Sequence, residues 1–287
     1  GANRAPGLHR IGLNHVLTPS AGVLSEFTIS KLAHDRFYLV SAAAALRQDE
    51  DLLRTRSLGF DLSIENCTDR KGVFSIMGPS AEALLSTLCD QSLALADFPW
   101  LSTKTLQIAG IKLDALRVSY VGESGWELHH DIQDQRALFG HLMQAGQEFD
   151  MGFYGAFAIN SMRLEMGYRA WGADLTTERT PLEAGLDRFV KTEQRQFIGR
   201  DALLARQARD DHWGMALLEL GDSEIDPFYA HSVFLNGEPV GMVTSGAFGH
   251  RIKKAVGLAY FRNPADMSGE LSVSILGKMI GAKVRND

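Results

Sequence analysis

Apolar and polar residues alternate with a period of two in several stretches near the start of the chain, a pattern typical of half-buried β-strands. Two apolar runs flank a turn in residues 15–23, and the alternation continues over residues 27–32. Residues 37–41 follow a further turn and form a candidate partner strand. Residues 42–57 have a helical composition with charges on one side, so we predict a helix there.

Short strands and longer helices are predicted to alternate through the middle of the chain. The predicted strands lie at residues 73–77, 113–120 and 126–130, and the predicted helices at 81–89, 135–148 and 156–166. Ser80 is placed to cap the first of these helices through its hydroxyl. The strands on either side of the glycine-containing turn at 122–125 are expected to form a hairpin. This mixture predicts an α+β fold with antiparallel sheets.

The composition changes near residue 200, where a short basic helix is predicted at residues 201–209. Beyond Trp213 the chain has short strands punctuated by glycine, at residues 215–220, 233–235, 240–244, 255–260 and 271–276. Asn236-Gly237 is the strongest hairpin signal in the sequence. We therefore predict a larger N-terminal domain, residues 1–200, followed by a small C-terminal β-barrel domain, residues 201–287.

The composition describes an ordinary protein surface without a strong bias of charge. The 287 residues are 45% hydrophobic and 22% charged, and a net charge of -6 with no basic run argues against a nucleic-acid partner. Cys67 and Cys89 form no CxxC pair, so neither structural zinc nor a disulfide framework is expected. No apolar run reaches the roughly 18 residues of a membrane helix. No secretory signal is visible, so we predict no membrane association and a cytoplasmic location, or the mitochondrial matrix in a eukaryote.

Generic cofactor and catalytic motifs are absent from the sequence. It contains no GxGxxG after a strand and no GxxxxGK followed by Ser or Thr, the fingerprints of dinucleotide and ATP binding. His129 and His130 are adjacent on a predicted strand, so their rings face opposite sides and suit one metal ion poorly. We predict no metal site. The chain opens on Gly1 rather than Met and stops just after a predicted strand, so we expect it to be part of a longer polypeptide.

One turn carries residue types that suit recognition of a nitrogen heterocycle. Tyr120 precedes Gly122 and Gly125, and Glu127 follows them on the returning strand. A heterocycle such as a pterin presents adjacent N–H donors along an amidine-like edge, and a carboxylate accepts two of them in parallel. A nearby Tyr offers a ring face and a hydroxyl. Taken alone, this arrangement is also typical of an ordinary hairpin with a surface glutamate.

Several blocks, ordered over nearly the whole chain, resemble the aminomethyltransferase (glycine-cleavage T-protein) superfamily. They lie at residues 15–19, 24–26, 117–128, 160–165, 169–172, 181–186, 197–200 and 244–246. They are most similar to the folate-binding C-terminal region of dimethylglycine and sarcosine dehydrogenases. The resemblance implies an α+β, aminomethyltransferase-type folate-binding fold followed by a small C-terminal β-barrel, with tetrahydrofolate as the cofactor. It also implies that the N-terminal part of the folate-binding region is missing before residue 1.

The resemblance assigns residues to a folate site. Glu127 matches the carboxylate that holds the pterin, and Tyr120 matches the aromatic residue beside it. Leu128 and His129 continue the same contact strand. Glu26 matches an essential acidic residue of the family, so its predicted role is catalytic as well as folate-binding. The predicted folate-binding set is completed by Leu24, Ser25, Trp171 and Arg188.

The chain departs from the family pattern at two places. Ile159 and Asn160 stand where the T-protein has Arg-Asp, so the T-protein's contact from that Arg to folate is expected to be absent. An apolar residue followed by Asn instead resembles the dehydrogenase branch. Arg188 stands where close dehydrogenase relatives tend to carry a folate-contacting aromatic residue. Its guanidinium either pairs with the glutamyl carboxylates of folate or is solvated.

The leading hypothesis is a tetrahydrofolate-binding one-carbon transfer module of a dimethylglycine/sarcosine dehydrogenase-like demethylating enzyme. Carbon from a small N-methyl amine, oxidised elsewhere, would be captured as 5,10-methylenetetrahydrofolate, with Glu26 stabilising a cation or relaying a proton. Because no flavin motif is present, FAD would enter only through an absent domain or a partner subunit. The alternatives are a stand-alone S- or O-demethylase that forms 5-methyltetrahydrofolate and a non-enzymatic folate-binding module.

Overall fold

The computed structural model of the chain describes residues 1–193, 196–209, 213–221, 225–262 and 269–285. Tertiary contacts divide the chain into two units, which we call the barrel unit and the sheet unit. The barrel unit comprises Gly1–Arg4, Asn14–Glu26 and Tyr154–Asp287, and the sheet unit comprises Ala5–Leu13 and Phe27–Phe153. The predicted domain division at residue 200 stays a prediction, because these units follow tertiary contacts and not a single cut in the chain.

Strands β1 and β2 each contribute residues to both units. β1 spans Ile11–Leu17 and β2 spans Val23–Lys31; with β3, Phe37–Val40, they form a three-stranded sheet in the order β1-β2-β3. A 3-10 turn at Ala43–Ala45 then leads into helix α1, Leu46–Arg56. The alternating pattern and the helical composition of this region therefore predicted the right types of element.

A four-stranded antiparallel sheet forms the centre of the sheet unit, with the strand order β4-β7-β6-β5. Its strands are β4 Lys71–Met77, β5 Thr103–Ile108, β6 Ile111–Leu116 and β7 Gly125–Asp131, and its helices are α2 Ala81–Ser86 and α3 Gln135–Gly146. One face of the sheet is apolar: Trp126, Leu128 and Leu106 are fully buried with Leu85 of α2 and Leu138 of α3. The other face of the sheet is therefore the one that can present polar groups.

The predicted cap of α2 is wrong. Ser80 precedes the helix, but its side chain makes no capping hydrogen bond. The reason is its backbone, which has φ -93° and ψ 0°, whereas a capping Ser or Thr needs an extended conformation to aim its oxygen at the first helical N–H groups. The helix is also shorter than predicted and ends at Ser86.

Six strands close into an antiparallel barrel in the order β10-β11-β8-β13-β12-β9. The strands are β8 Trp213–Leu220, β9 Ser232–Leu235, β10 Glu238–Gly249, β11 Lys254–Arg262, β12 Leu271–Ile275 and β13 Lys278–Val284. Asn236 and Gly237 join β9 to β10 with φ angles of +51° and +85°, the two left-handed residues of the predicted hairpin turn. The predicted α+β class and C-terminal barrel are confirmed.

Helix α4, Ala156–Glu165, packs on the outside of this barrel, and helix α5, Arg200–Gln207, follows later in the chain. Leu164 of α4 forms a buried apolar cluster with Leu217, Val256 and Leu258 of the barrel strands. Polar contacts join the same elements, because Ser161 donates from Oγ to the carbonyl oxygen of Phe248. None of the helices in the described residues is long and apolar enough to cross a membrane.

Asp174 is the centre of a buried polar network in the barrel unit. Its side chain is fully buried and forms an ion pair of 2.5 Å with Nη1 of Arg163. The same carboxylate accepts hydrogen bonds from the backbone N–H of Ala170 and from the hydroxyls of Thr244 and Ser245. A buried charge is tolerated when it is paired and hydrogen-bonded in this way, so the network ties α4 and the following loop to the barrel.

Candidate functional site

The polar face of the four-stranded sheet carries the predicted pterin carboxylate. Successive side chains of a strand point to opposite faces, so Trp126 and Leu128 enter the core while Glu127 and His129 lie on the other face. The first residue of this strand is Gly125. A side chain does not fit there, because a Cβ would lie 2.2 Å from Sδ of Met77 and 2.5 Å from the carbonyl oxygen of Ile76. The close pairing of β4 and β7 thus fixes where Glu127 stands.

Tyr38, His129 and Glu127 form a hydrogen-bonded series that ends at the Glu127 carboxylate. Nε2 of His129 lies 3.1 Å from Oε2 of Glu127, and Nδ1 of His129 lies 3.1 Å from the hydroxyl of Tyr38. The Glu127 side chain is 33% exposed, whereas the His129 side chain is 2% exposed. In the described part of the chain no second donor contacts the Glu127 carboxylate, so it retains acceptor capacity for a further pair of N–H donors. These residues therefore fit the edge of a pterin.

Burial raises the pKa of Tyr38 to about 12, and the negative groups of Cys67, Asp114 and Glu127 add to the shift. The Tyr38 hydroxyl therefore keeps its proton throughout the neutral range. It is available as the donor to His129.

The raised pKa of Tyr38 predicts a specific alkaline behaviour. The folded chain holds this proton more tightly than the unfolded chain, so the contribution of Tyr38 to stability is complete below pH 10 and is lost as the pH rises through about 12. Spectrophotometric titration of the wild type and of Tyr38→Phe measures the pKa of Tyr38. The absorbance change that is present in the wild type and missing from the variant should be centred near pH 12. Tyr229→Phe, which changes an exposed tyrosine, is the control. A missing component centred near pH 10 would contradict the prediction.

The other residues predicted for this strand and turn have different positions. Tyr120 is 40% exposed and lies beyond the end of β6, in the segment that leads to β7, and not on a strand. Leu128 is fully buried in the apolar core, so only its backbone remains for the predicted folate contact. His130 points into the same core, where its ring stacks on Phe74 at 4.9 Å between centroids. The adjacent histidines do face opposite sides.

In the barrel unit, the predicted catalytic residue Glu26 is paired with a buried histidine. Oε2 of Glu26 lies 2.8 Å from Nε2 of His15, and the two side chains are 24% and 0% exposed respectively. The Glu26 carboxylate accepts from the imidazole while one part of it stays accessible. Such a carboxylate is oriented by its partner and can exchange a proton with a ligand.

The residues predicted around Glu26 are brought together in part. Trp171 donates from Nε1 to the carbonyl oxygen of Leu24 at 3.2 Å, so the indole is held against the β2 segment. Ser25 is buried, and Oγ has no hydrogen-bond partner among the described residues. Because strand side chains alternate, Ser25 faces away from the side that carries Leu24 and Glu26.

Arg188 lies in an exposed 3-10 turn, Asp187–Phe189. Its guanidinium stands over the ring of Phe189 at 4.6 Å, and that ring in turn meets the His15 imidazole edge to face at 6.1 Å. Phe189 thus contacts both Arg188 and His15. The Arg188 side chain is exposed and lies outside the buried core. Pairing with the glutamyl carboxylates of folate and simple solvation therefore both remain predictions.

Sequence reasoning missed His15 and Tyr38 as members of these two groups. A signal for His15 existed, because residues at similar distances on either side of the turn in 18–22 face each other across an antiparallel hairpin, and Glu26 is at such a distance. Tyr38 had no such signal, since it meets His129 across a separation of 91 residues. Asn160, which departs from the family pattern, has a structural role: its Oδ1 accepts hydrogen bonds from Nε and Nη2 of Arg163.

The described geometry thus comprises one polar group in each unit, Glu127–His129–Tyr38 and Glu26–His15. Comparison with family models identifies the class to which the chain belongs. Residues 3–194 match the GCVT N-terminal domain, and residues 215–286 match the glycine cleavage T-protein C-terminal barrel domain. The chain therefore belongs to the glycine cleavage T-protein family of tetrahydrofolate-dependent one-carbon transferases, which confirms the resemblance seen in the sequence.

Individual relatives come from two kinds of enzyme. Human mitochondrial dimethylglycine dehydrogenase is 35% identical over 281 residues, which cover 96% of this chain and 32% of that protein. An aminomethyltransferase of Thermoanaerobacter sp. (strain X514) is 30% identical over 266 residues, covering 92% of this chain and 72% of that protein. The crystal structure of glycine cleavage system aminomethyltransferase T from Bartonella henselae matches 98% of this chain and 76% of that one, with 27% identity and a TM-score of 0.83. The chain spans about a third of the length of the dimethylglycine dehydrogenases that it matches.

Proposed function

We propose that this chain is the tetrahydrofolate-binding one-carbon transfer module of a dimethylglycine/sarcosine dehydrogenase-like demethylating enzyme. Its product in this proposal is 5,10-methylenetetrahydrofolate, and the carbon comes from a small N-methyl amine. Two relatives support this branch: the dimethylglycine dehydrogenase, and a 4-methylaminobutanoate oxidase (formaldehyde-forming) of Paenarthrobacter nicotinovorans that is 32% identical over 93% of this chain. The amine, the flavin domain or subunit that oxidises it, and a cytoplasmic or mitochondrial-matrix location belong to the proposal.

The observation that carries the proposal is the partial exposure and the unfilled hydrogen-bonding capacity of the Glu127 carboxylate. Its carboxylate is partly exposed on the polar face of the sheet and receives one donor, His129, at 3.1 Å. A pterin edge supplies two adjacent N–H donors, and a carboxylate that accepts both in parallel fixes the orientation of the ring as well as binding it. Tyr120, exposed in the segment before β7, offers an aromatic face to the same class of ligand.

Glu26 is assigned the acid–base or electrostatic role. Bound tetrahydrofolate supplies the nitrogen atoms that take up the one-carbon unit. The Glu26 carboxylate, oriented by His15 at 2.8 Å, can accept a proton or stabilise positive charge that develops as the carbon is transferred. Leu24 and Trp171 keep the segment in place, because the indole N–H binds the Leu24 carbonyl. Arg188 remains a candidate partner for the glutamyl carboxylates.

Glu127→Gln tests the binding assignment. Replacing one carboxylate oxygen by an amide removes the charge and presents a donor to a donor, so we expect tetrahydrofolate affinity to fall about 10- to 100-fold, equivalent to the roughly 1.5–3 kcal/mol of a charge-assisted hydrogen bond. Calorimetric titration with tetrahydrofolate measures the change. Glu123→Gln, in the segment just before β7, is the matched control and should bind as the wild type does. Equal affinities of Glu127→Gln and the wild type would refute the assignment of Glu127.

Product analysis separates the proposed function from its alternatives. The intact enzyme, supplied with tetrahydrofolate and an N-methyl amine, should form the 5,10-methylene derivative. Formation of 5-methyltetrahydrofolate from a sulfonium or methyl ether would instead support the stand-alone demethylase. Binding without transfer to any of these donors would identify a non-enzymatic module.

A further inference from the structure

Half-buried Tyr38 and buried His129 are joined by a contact that the binding of folate to Glu127 does not by itself require. The Tyr38 hydroxyl lies 3.1 Å from Nδ1 of His129, and the two rings meet edge to face with centroids 5.3 Å apart. Tyr38 comes from β3 and His129 from β7, so the contact joins a strand of the three-stranded sheet to a strand of the four-stranded sheet, and both residues lie in the sheet unit. The hydrogen bond and the ring contact together fix the rotation of the imidazole about its side-chain bonds and its distance from Tyr38.

The direction of the protons follows from the chemistry of the three groups. An ionised carboxylate only accepts, so the hydrogen bond to Glu127 requires a proton on Nε2 of His129. A neutral imidazole carries one N–H, which leaves Nδ1 as an acceptor that needs a donor. The Tyr38 hydroxyl supplies that donor. The donor and acceptor roles in one of these hydrogen bonds therefore determine the roles in the other.

The surroundings of Tyr38 favour the same direction. Asp114 of β6 stands opposite His129 in the register of the sheet, and Oδ1 of Asp114 already accepts from Oγ1 of Thr105 at 2.9 Å. Burial and the nearby negative groups of Cys67, Asp114 and Glu127 raise the pKa of Tyr38 to about 12, so its hydroxyl remains protonated at neutral pH. A tyrosine that keeps its proton is a dependable donor.

We propose that Tyr38 and His129 are positioning residues that hold the Glu127 carboxylate for the pterin: Tyr38 sets the Nε2–H tautomer of His129, and Nε2–H binds one oxygen of Glu127. The proposal deepens the function proposed above and rests on it only for the identity of the ligand. The carboxylate is then presented in one orientation before the ligand arrives. Less conformational freedom is lost on binding, which raises affinity without a direct contact between Tyr38 and the ligand.

The tautomer of His129 is measured without any ligand. Long-range ¹H–¹⁵N spectra of the ring nitrogens, with His129 assigned by its absence in His129→Gln, should show the Nε2–H form in the wild type at neutral pH. In Tyr38→Phe, where Nδ1 loses its donor, the spectrum should move toward a mixture with the Nδ1–H form. A purely structural role of Tyr38 would leave the tautomer unchanged. An Nδ1–H tautomer in the wild type overturns the proposal.

Binding of tetrahydrofolate gives the second measurement. Tyr38→Phe keeps the ring and removes one hydrogen bond, so we expect affinity to fall about three- to tenfold. His129→Leu removes the donor to Glu127 and should weaken binding further, whereas His129→Gln retains an N–H donor and should recover most of the affinity. Circular dichroism of each variant checks that the fold is kept.

The outcomes separate this proposal from the proposed function. If Glu127→Gln loses affinity while Tyr38→Phe and His129→Leu bind as the wild type does, the positioning role is refuted and the folate site stands. If Glu127→Gln leaves affinity unchanged, the ligand assignment fails whatever the tautomer. If His129→Leu and His129→Gln weaken binding equally, the donor to Glu127 is not what His129 contributes, which also overturns the proposal.

Discussion

Glu26→Gln is expected to lower one-carbon transfer by about 10²- to 10⁴-fold, the usual contribution of a positioned acid or base, while tetrahydrofolate affinity changes little. Gln keeps the size of the side chain and can still meet Nε2 of His15, which lies 2.8 Å from the carboxylate. It can neither accept a proton nor carry the negative charge that stabilises a cation. The loss should therefore appear in kcat and leave binding almost intact.

The measurement compares the rate of formation of 5,10-methylenetetrahydrofolate with calorimetric affinity for tetrahydrofolate, both on the intact enzyme. Glu178→Gln is the matched control, because Glu178 is an exposed glutamate of the same unit. His15→Gln gives a third comparison: if His15 only orients Glu26, its loss should cost less than the loss of the carboxylate. Wild-type rates in Glu26→Gln would show that the assigned role of Glu26 is wrong.

Asp174→Ala is expected to destabilise the chain by about 3–5 kcal/mol, the cost typical of breaking a buried ion pair from one side. The substitution leaves the Arg163 guanidinium, which is 3% exposed, without its counter-ion. It also removes the acceptor of the Ala170 N–H and of the hydroxyls of Thr244 and Ser245. Buried donors without partners keep their desolvation penalty, so the effect exceeds that of an ordinary surface substitution.

Equilibrium unfolding in urea measures this loss as a shift of the midpoint. Glu178→Ala, an exposed substitution in the same unit, should remain within roughly 0.5 kcal/mol of the wild type. Asp174→Asn keeps an acceptor for some of the donors but not the charge, so its stability should lie between that of the wild type and that of Asp174→Ala. A midpoint for Asp174→Ala equal to that of the control would contradict the structural role of the network.

Part of the fold could be predicted because local patterns specify it. Asn236-Gly237 needs no partner elsewhere to prefer a left-handed turn, and the structure has both residues at positive φ. The period-two alternation in β7 already separates Glu127 from Leu128. Ser80 shows the limit of such rules, since its residue type suits a cap but its backbone conformation does not. Whether a capping oxygen reaches an N–H depends on the chain path before the helix.

By itself, the sequence determined the class of the chain, the type of most elements and the residues Glu26 and Glu127 as candidates, because composition, periodicity and ordered motifs are written along the chain. Their roles in folate binding and catalysis remain predictions. Only the tertiary structure decided what stands beside each carboxylate: His15 at Glu26, and His129 with Tyr38 at Glu127. Burial and long-range contacts control the orientation and protonation of such groups, and Tyr38 reaches His129 across 91 residues through pairing that no local pattern encodes.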